Sequence, residues 1–92
     1  MAGSNFRPGT TQNVTISGTS AATSSTVGSP FVRLACTSAC YVVFDSSPTA
    51  TTSHMLLNAG TVGEVFKCSP TDKVAGIQES AGGVLSVTSV DL

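Results

Sequence analysis

Apolar and polar positions alternate with a period of two along most of the chain, and no useful length of it carries the period of a helix. The strongest stretch is residues 30–45, PFVRLACTSACYVVFD. Val32, Leu34 and Cys36 alternate with Phe31, Arg33 and Ala35; after Thr37, Ser38 and Ala39, Cys40, Val42 and Phe44 alternate with Tyr41 and Val43. Successive side chains of a pleated strand face opposite ways, so each run reads as a strand with one buried face. The three-residue connection predicts a β-hairpin at the centre of an all-β domain.

The flanking sequence extends the pattern. Residues 12–17 (QNVTIS) predict a short strand with Val14 and Ile16 on one face. Residues 18–28 (GTSAATSSTVG) fit either a weak second strand or a loop, because no apolar face fixes a register. Residues 54–57 (HMLL) and 63–67 (GEVFK) predict strands around a turn at Asn58, Ala59 and Gly60, and Ser69-Pro70-Thr71-Asp72 predicts a second turn. Residues 73–78 (KVAGIQ) read as a strand whose internal Gly76 marks a bulge or a close backbone approach. Residues 80–83 (SAGG) predict a hairpin that returns into 84–90 (VLSVTSV). Seven or eight short antiparallel strands at this spacing predict a small single-domain β-sandwich or jelly-roll-like barrel. Residues 1–12 (MAGSNFRPGTTQ) read as an extended N-terminal arm, either frayed or ordered on a partner, and 13–92 as the sandwich domain.

Composition narrows what such a domain does. The chain has 92 residues, 10% of them charged, against about 25% in ordinary soluble domains. Ser and Thr take their place, so the surface is hydrated by hydroxyls and carries little field. A lightly charged surface is poorly defended against association, which favours a chain largely covered in an assembly. The net charge is −1, and Arg7, Arg33, Lys67 and Lys73 are scattered. Nucleic-acid binding needs several cations along one face and is not expected. No apolar run approaches the roughly 18 residues of a membrane span, and no signal-peptide pattern opens the sequence.

Candidate chemistry is sparse. Cys36, Cys40 and Cys68 are an odd number of cysteines in apolar strand contexts and read as buried free thiols. The connection at 37–39 leaves a Cys36–Cys40 pairing open, and adding His54 completes a nominal zinc set with unfavourable spacing. Neither a metal nor another cofactor is expected. The lone His54 lacks a nucleophile elbow, the acidic residues fall at strand ends and turns, and Gly82-Gly83 precedes a strand, not the helix of a phosphate loop. An enzyme is not expected.

From Phe31 onward a resemblance joins this reading. Its residues are Val32-Arg33-Leu34, Ala39-Cys40-Tyr41-Val42-Val43-Phe44 and Pro48-Thr49-Ala50-Thr51, then Met55-Leu56-Leu57-Asn58-Ala59-Gly60, Lys73-Val74-Ala75-Gly76-Ile77-Gln78 and Gly82-Gly83-Val84-Leu85-Ser86-Val87-Thr88. Over residues 31–90 the chain resembles small phage virion structural proteins of the capsid decoration (cement) type. The resemblance implies binding to the outside of a shell of major capsid protein, self-association with a homotrimer favoured, and no catalysis. The implied location is the capsid surface of the virion, after assembly in the host cytoplasm. An arm adding to a neighbour's sheet would meet its partner through Phe6, Arg7, Val14 and Ile16. Other virion components (a head–tail or fibre part) and a small carbohydrate-binding sandwich are the alternatives. The last needs an aromatic platform, for which the chain offers Tyr41 and no Trp.

Overall fold

A computed structural model describes residues 7–91. Its eight strands are β1 (Arg7–Ile16), β2 (Ala21–Ala22), β3 (Phe31–Cys36), β4 (Cys40–Asp45), β5 (Met55–Leu57), β6 (Gly60–Lys67), β7 (Lys73–Gln78) and β8 (Gly83–Asp91). They form two four-stranded antiparallel sheets: a front sheet in the order β1-β8-β3-β6 and a back sheet in the order β2-β7-β4-β5. The first strand pairs with the last, the second with the seventh, the third with the sixth and the fourth with the fifth. Further pairing of β3 with β8 and of β4 with β7 completes the two sheets. A long antiparallel ribbon wrapped on itself in this way is a jelly roll. The all-β sandwich expected from the alternation is what the chain forms.

The central hairpin is not formed. β3 lies in the front sheet and β4 in the back sheet, so residues 37–39 arch between the sheets. Periodicity explains the error. It fixes which side chains turn inward but not whether the next strand lies beside its predecessor or across the core from it. Val32, Leu34 and Cys36 of one run face Cys40 and Val42 of the other within one buried cluster. That opposition needs two sheets. The hairpin expected at residues 80–83 fails for the same reason, since β7 is in the back sheet and β8 in the front.

The core is aliphatic. Ile16, Leu34, Leu57, Leu85, Val32, Val74 and Val87 are its largest fully buried side chains, and Phe44 packs against Phe66 at a centroid distance of 5.9 Å. Gly76 faces into this core. A Cβ built on it would stand 2.6 Å from Cδ1 of Ile16, so the side chain of a front strand fills the notch of a back-strand glycine. The approach at Gly76 is made by a side chain and not, as expected, by backbone, and the ladders through Gly76 show no bulge.

Hydroxyls satisfy the polar atoms at the rims. Ser29 Oγ donates to Val90 O at 2.6 Å, Val74 N–H donates to Thr23 Oγ1 at 3.2 Å, and Thr11 and Thr88 share a hydrogen bond of 2.8 Å. Among the described residues no buried side-chain nitrogen or oxygen lacks a partner. The low-complexity segment at 18–28 is partly both of its predicted alternatives. After the two residues of β2 it continues beside β7 through Thr23 N–H to Val74 O and Val27 N–H to Asp72 O. The turn at 69–72 forms as expected, with Asp72 accepting from Ser69 N–H at 3.0 Å and donating its own N–H to Ser69 O.

Candidate functional site: the front face and its edges

The two outer faces of the sandwich differ, and a loop makes the difference. On the back sheet, alternation turns Tyr41, Val43, Ala75 and Ile77 outward. The connection from β4 to β5, residues 46–54, leaves one side of the sheet and reaches the strand at the other. Ala50 N–H donates to Ser20 Oγ at 2.8 Å, immediately before β2. The chain then returns to β5, where His54 Nδ1 accepts from Thr51 N–H at 2.9 Å. Ala50 is 3% exposed and the outward-facing Ala75 is fully buried, so this connection straps the back face. Tyr41 is half-buried in a row with Leu56 and Ile77 and is no free aromatic platform.

No such strap crosses the front face among the described residues. Thr11, Asn13 and Thr15 of β1, Val84, Ser86 and Thr88 of β8, Phe31, Arg33 and Ala35 of β3, and Val65 and Lys67 of β6 face outward by register. Val84 is 42% exposed and Val65 37%. The ladder between β3 and β6 is regular from Phe31 to Leu34 and then shifts, so Cys36 stands opposite Gly60 while residues 61–63 bulge past Ala35. Gly63 makes the bulge possible, with φ near +74° and the Leu34 carbonyl 2.7 Å from where a Cβ would sit. The displaced strand leaves an open groove of about 630 Å3 over Ala35, bordered by Arg33, Thr37, Gly60, Val84 and Ser86.

The edges of the sheets also differ. Along β1, Gln12 clamps the neighbouring 23–28 segment: its Nε2 donates to Ser25 O and its Oε1 accepts from Ser25 N–H, each at 3.1 Å. β2 and β5 are two and three residues long. β6 has eight residues and pairs on one side with β3. With the ten-residue β1 it is one of the two edges of the front sheet, and exposed Glu64, Val65 and Lys67 lie along it. Charges on an edge strand discourage indiscriminate pairing without abolishing it.

Of the expected partner-binding residues, the side chains of Val14 and Ile16 are described. Phe6 lies outside the described residues, and of Arg7 only its backbone pairing with Asp91 is described. β1 begins at Arg7, so residues 7–12 of the expected arm are sheet. Val14 and Ile16, at 3% and 2% exposure, are core residues whose side chains cannot meet a partner. The alternation that marked them as one face was right; the face is the inner one. Sequence reasoning missed Val65, Val84 and the Gly63 bulge, and only the glycine in a strand context could have signalled the last.

The three thiols and the histidine do not assemble into one site. His54 sits in the strap with Thr51, and among the described residues no three groups suited to a metal ion cluster. Burial pushes all three thiols up from their usual range; Cys40 goes to about 12, and neighbouring Cys36 adds to the rise. All three are therefore protonated at neutral pH and are poor nucleophiles there. Comparison with family models, with curated proteins and with solved structures finds no match.

Proposed function

We propose that this protein is a phage capsid decoration (cement) protein, a non-catalytic subunit that lies on the outside of a shell and holds neighbouring capsid subunits together. The observation that carries the reading is the asymmetry of the two faces: the chain's own strap crosses the back, leaving Met55 and Leu56 exposed at its β5 edge, whereas the front carries exposed Val65 and Val84, the groove over Ala35 and the edge of β6. A jelly roll alone decides nothing, because the architecture serves capsid and lectin domains alike. The resemblance over residues 31–90 supports the virion choice, and the low charge supports a surface that spends its life covered.

In this reading the front sheet rests on the major capsid protein, and β6 receives an extended segment of a neighbour by strand addition. Main-chain hydrogen bonds then give affinity and Val65 gives an apolar foothold. The oligomer proposed is a trimer seated at or near three-fold positions of the shell. The test is co-sedimentation with purified expanded capsids of the phage that carries the protein, with calorimetry of the same capsids. Saturable binding with a rise in shell melting temperature is the expected result. Shells that retain none of the protein and melt unchanged would sink the proposal. Saturable retention on a glycan column, without capsid binding, would move the protein to the carbohydrate-binding class.

A further inference from the structure

Cys36 and Cys40 converge on one place in the core. Cys36 ends β3 in the front sheet and Cys40 begins β4 in the back sheet, with only the arch at 37–39 between them. Both belong to the buried cluster, at 3% and 0% exposure. Cys36 Sγ lies 3.7 Å from the carbonyl oxygen of Leu57 and 3.4 Å from that of Asn58. Cys40 is the cross-strand partner of Leu57. Both cysteines thus adjoin Leu57, and their thiols are hydrogen-bonded neighbours, each perturbing the ionisation of the other. Cys68 is excluded from the pair. It follows Lys67, which stands opposite Phe31 at the far end of β3, five residues and roughly 17 Å from Cys36. No disulfide bridges such a distance.

We propose that Cys36 and Cys40 are a disulfide-forming pair, which a low-molecular-weight disulfide oxidant closes into a covalent tie between the two sheets at the arch, leaving Cys68 as a thiol. Glutathione disulfide is one such oxidant. One cysteine loses its proton to water and attacks an oxidant sulfur; a mixed disulfide forms, and one glutathione leaves and is protonated. The second cysteine loses its proton and attacks the protein sulfur of the mixed disulfide, releasing the second glutathione as a thiol. Two protein thiols are oxidised by two electrons, and one glutathione disulfide is reduced to two thiols. Burial and the raised thiol ionisation slow the first attack in the folded chain, so the tie forms chiefly while the arch is open. This site stands independently of the virion reading, although a particle released from a reducing cytoplasm would meet such oxidants.

The experiment uses the full chain in two arms, one folded and one refolding from urea, each with excess glutathione disulfide. Samples are then denatured, alkylated with iodoacetamide and mapped by peptide mass. The expected product of the refolding arm has lost two hydrogens, carries one alkyl group, on Cys68, and contains a Cys36–Cys40 link. The folded arm reaches it at least about tenfold more slowly. The bonded protein unfolds at a higher urea concentration than the reduced protein. Three alkylated cysteines after refolding, a link through Cys68, or a bonded species with a lower urea midpoint each overturns the proposal.

Discussion

Gly76 and Ile16 allow a test of the packing between the sheets in which the expected coupling follows from one distance. A methyl group added at Gly76 would lie 2.6 Å from Ile16 Cδ1 and 3.4 Å from Leu85 Cδ2. Carbon atoms rest about 3.5–4.0 Å apart, so Cδ1 must retreat by roughly 1 Å. Ile16 is 2% exposed and has no empty space to enter. Its branched side chain leaves its rotamer at a cost of about 0.5–1.5 kcal/mol, within the roughly 1–3 kcal/mol of overpacked cores. Against this, alanine restricts the unfolded chain and returns about 0.4–1 kcal/mol. Gly76→Ala alone should therefore destabilise by about 1 kcal/mol. Ile16→Val removes the obstructing Cδ1 and leaves a small void, at about 0.5–1.5 kcal/mol. In the double variant the new methyl fills that void. Its stability should fall short of the parent by no more than about 0.5 kcal/mol, giving a favourable coupling of about 1–2 kcal/mol. Urea unfolding reads this directly, because a domain of this size shifts its midpoint by roughly 1 M per kcal/mol. Additive effects, with coupling under about 0.3 kcal/mol, would show that Ile16 does not occupy the glycine notch.

Two further outcomes follow from the same geometry. Gly63→Ala places a side chain at φ near +74° and against the Leu34 carbonyl, so it should cost about 1–3 kcal/mol and lower the melting temperature by several degrees; an unchanged melting temperature would mean that the β6 bulge is not formed. Cys40 binds its proton more tightly folded than unfolded, so its contribution is complete below pH 9 and is lost as the pH rises from 9 toward about 12. Stability should therefore fall over that window more steeply in the parent than in Cys40→Ala, as measured by urea midpoints at successive pH values; parallel slopes would remove Cys40 as the cause.

Much of the fold was legible because one face of each main strand is buried and the other is not. Leu34 and Cys36, Cys40 and Val42, and Leu85 and Val87 all sit inside, as alternation requires. Ser69 to Asp72 announced their turn through Pro70, and Gly76 marked a crowded position without showing that a side chain crowds it. What alternation cannot encode is the sheet to which a strand belongs. A three-residue link serves a hairpin or an arch, and the choice is settled by what lies across the core, a long-range matter that neither flanking run contains. The early start of β1 was hidden for a related reason. Residues 7–11 have no apolar rhythm; Thr11 pairs with Thr88 of β8, Gly9 and Thr10 form a bulge, and beyond it Pro8 and Arg7 pair with Val90 and Asp91.

The candidate site was less legible, since its defining property is a difference between two surfaces of similar composition. Val43, Ala75 and Ile77 turn outward on the back sheet much as Val84, Ala35 and Val65 do on the front. Read along the chain, both sets are equally fit to meet a partner. The strap decides between them, and its path depends on a single hydrogen bond from a loop amide to a serine thirty residues earlier. Proline and hydroxyl-rich residues at 46–53 predict a loop but not where it lies. Once the loop lies across the back, a partner reaching the β2 and β7 side of that face must first displace a packed segment, and Met55 and Leu56 at the β5 edge are the large apolar side chains still exposed there among the described residues. For the proposed role, association through the front costs less ordering for the same area covered, and that difference, more than any one side chain, favours the front sheet and its β6 edge as the docking surface proposed above.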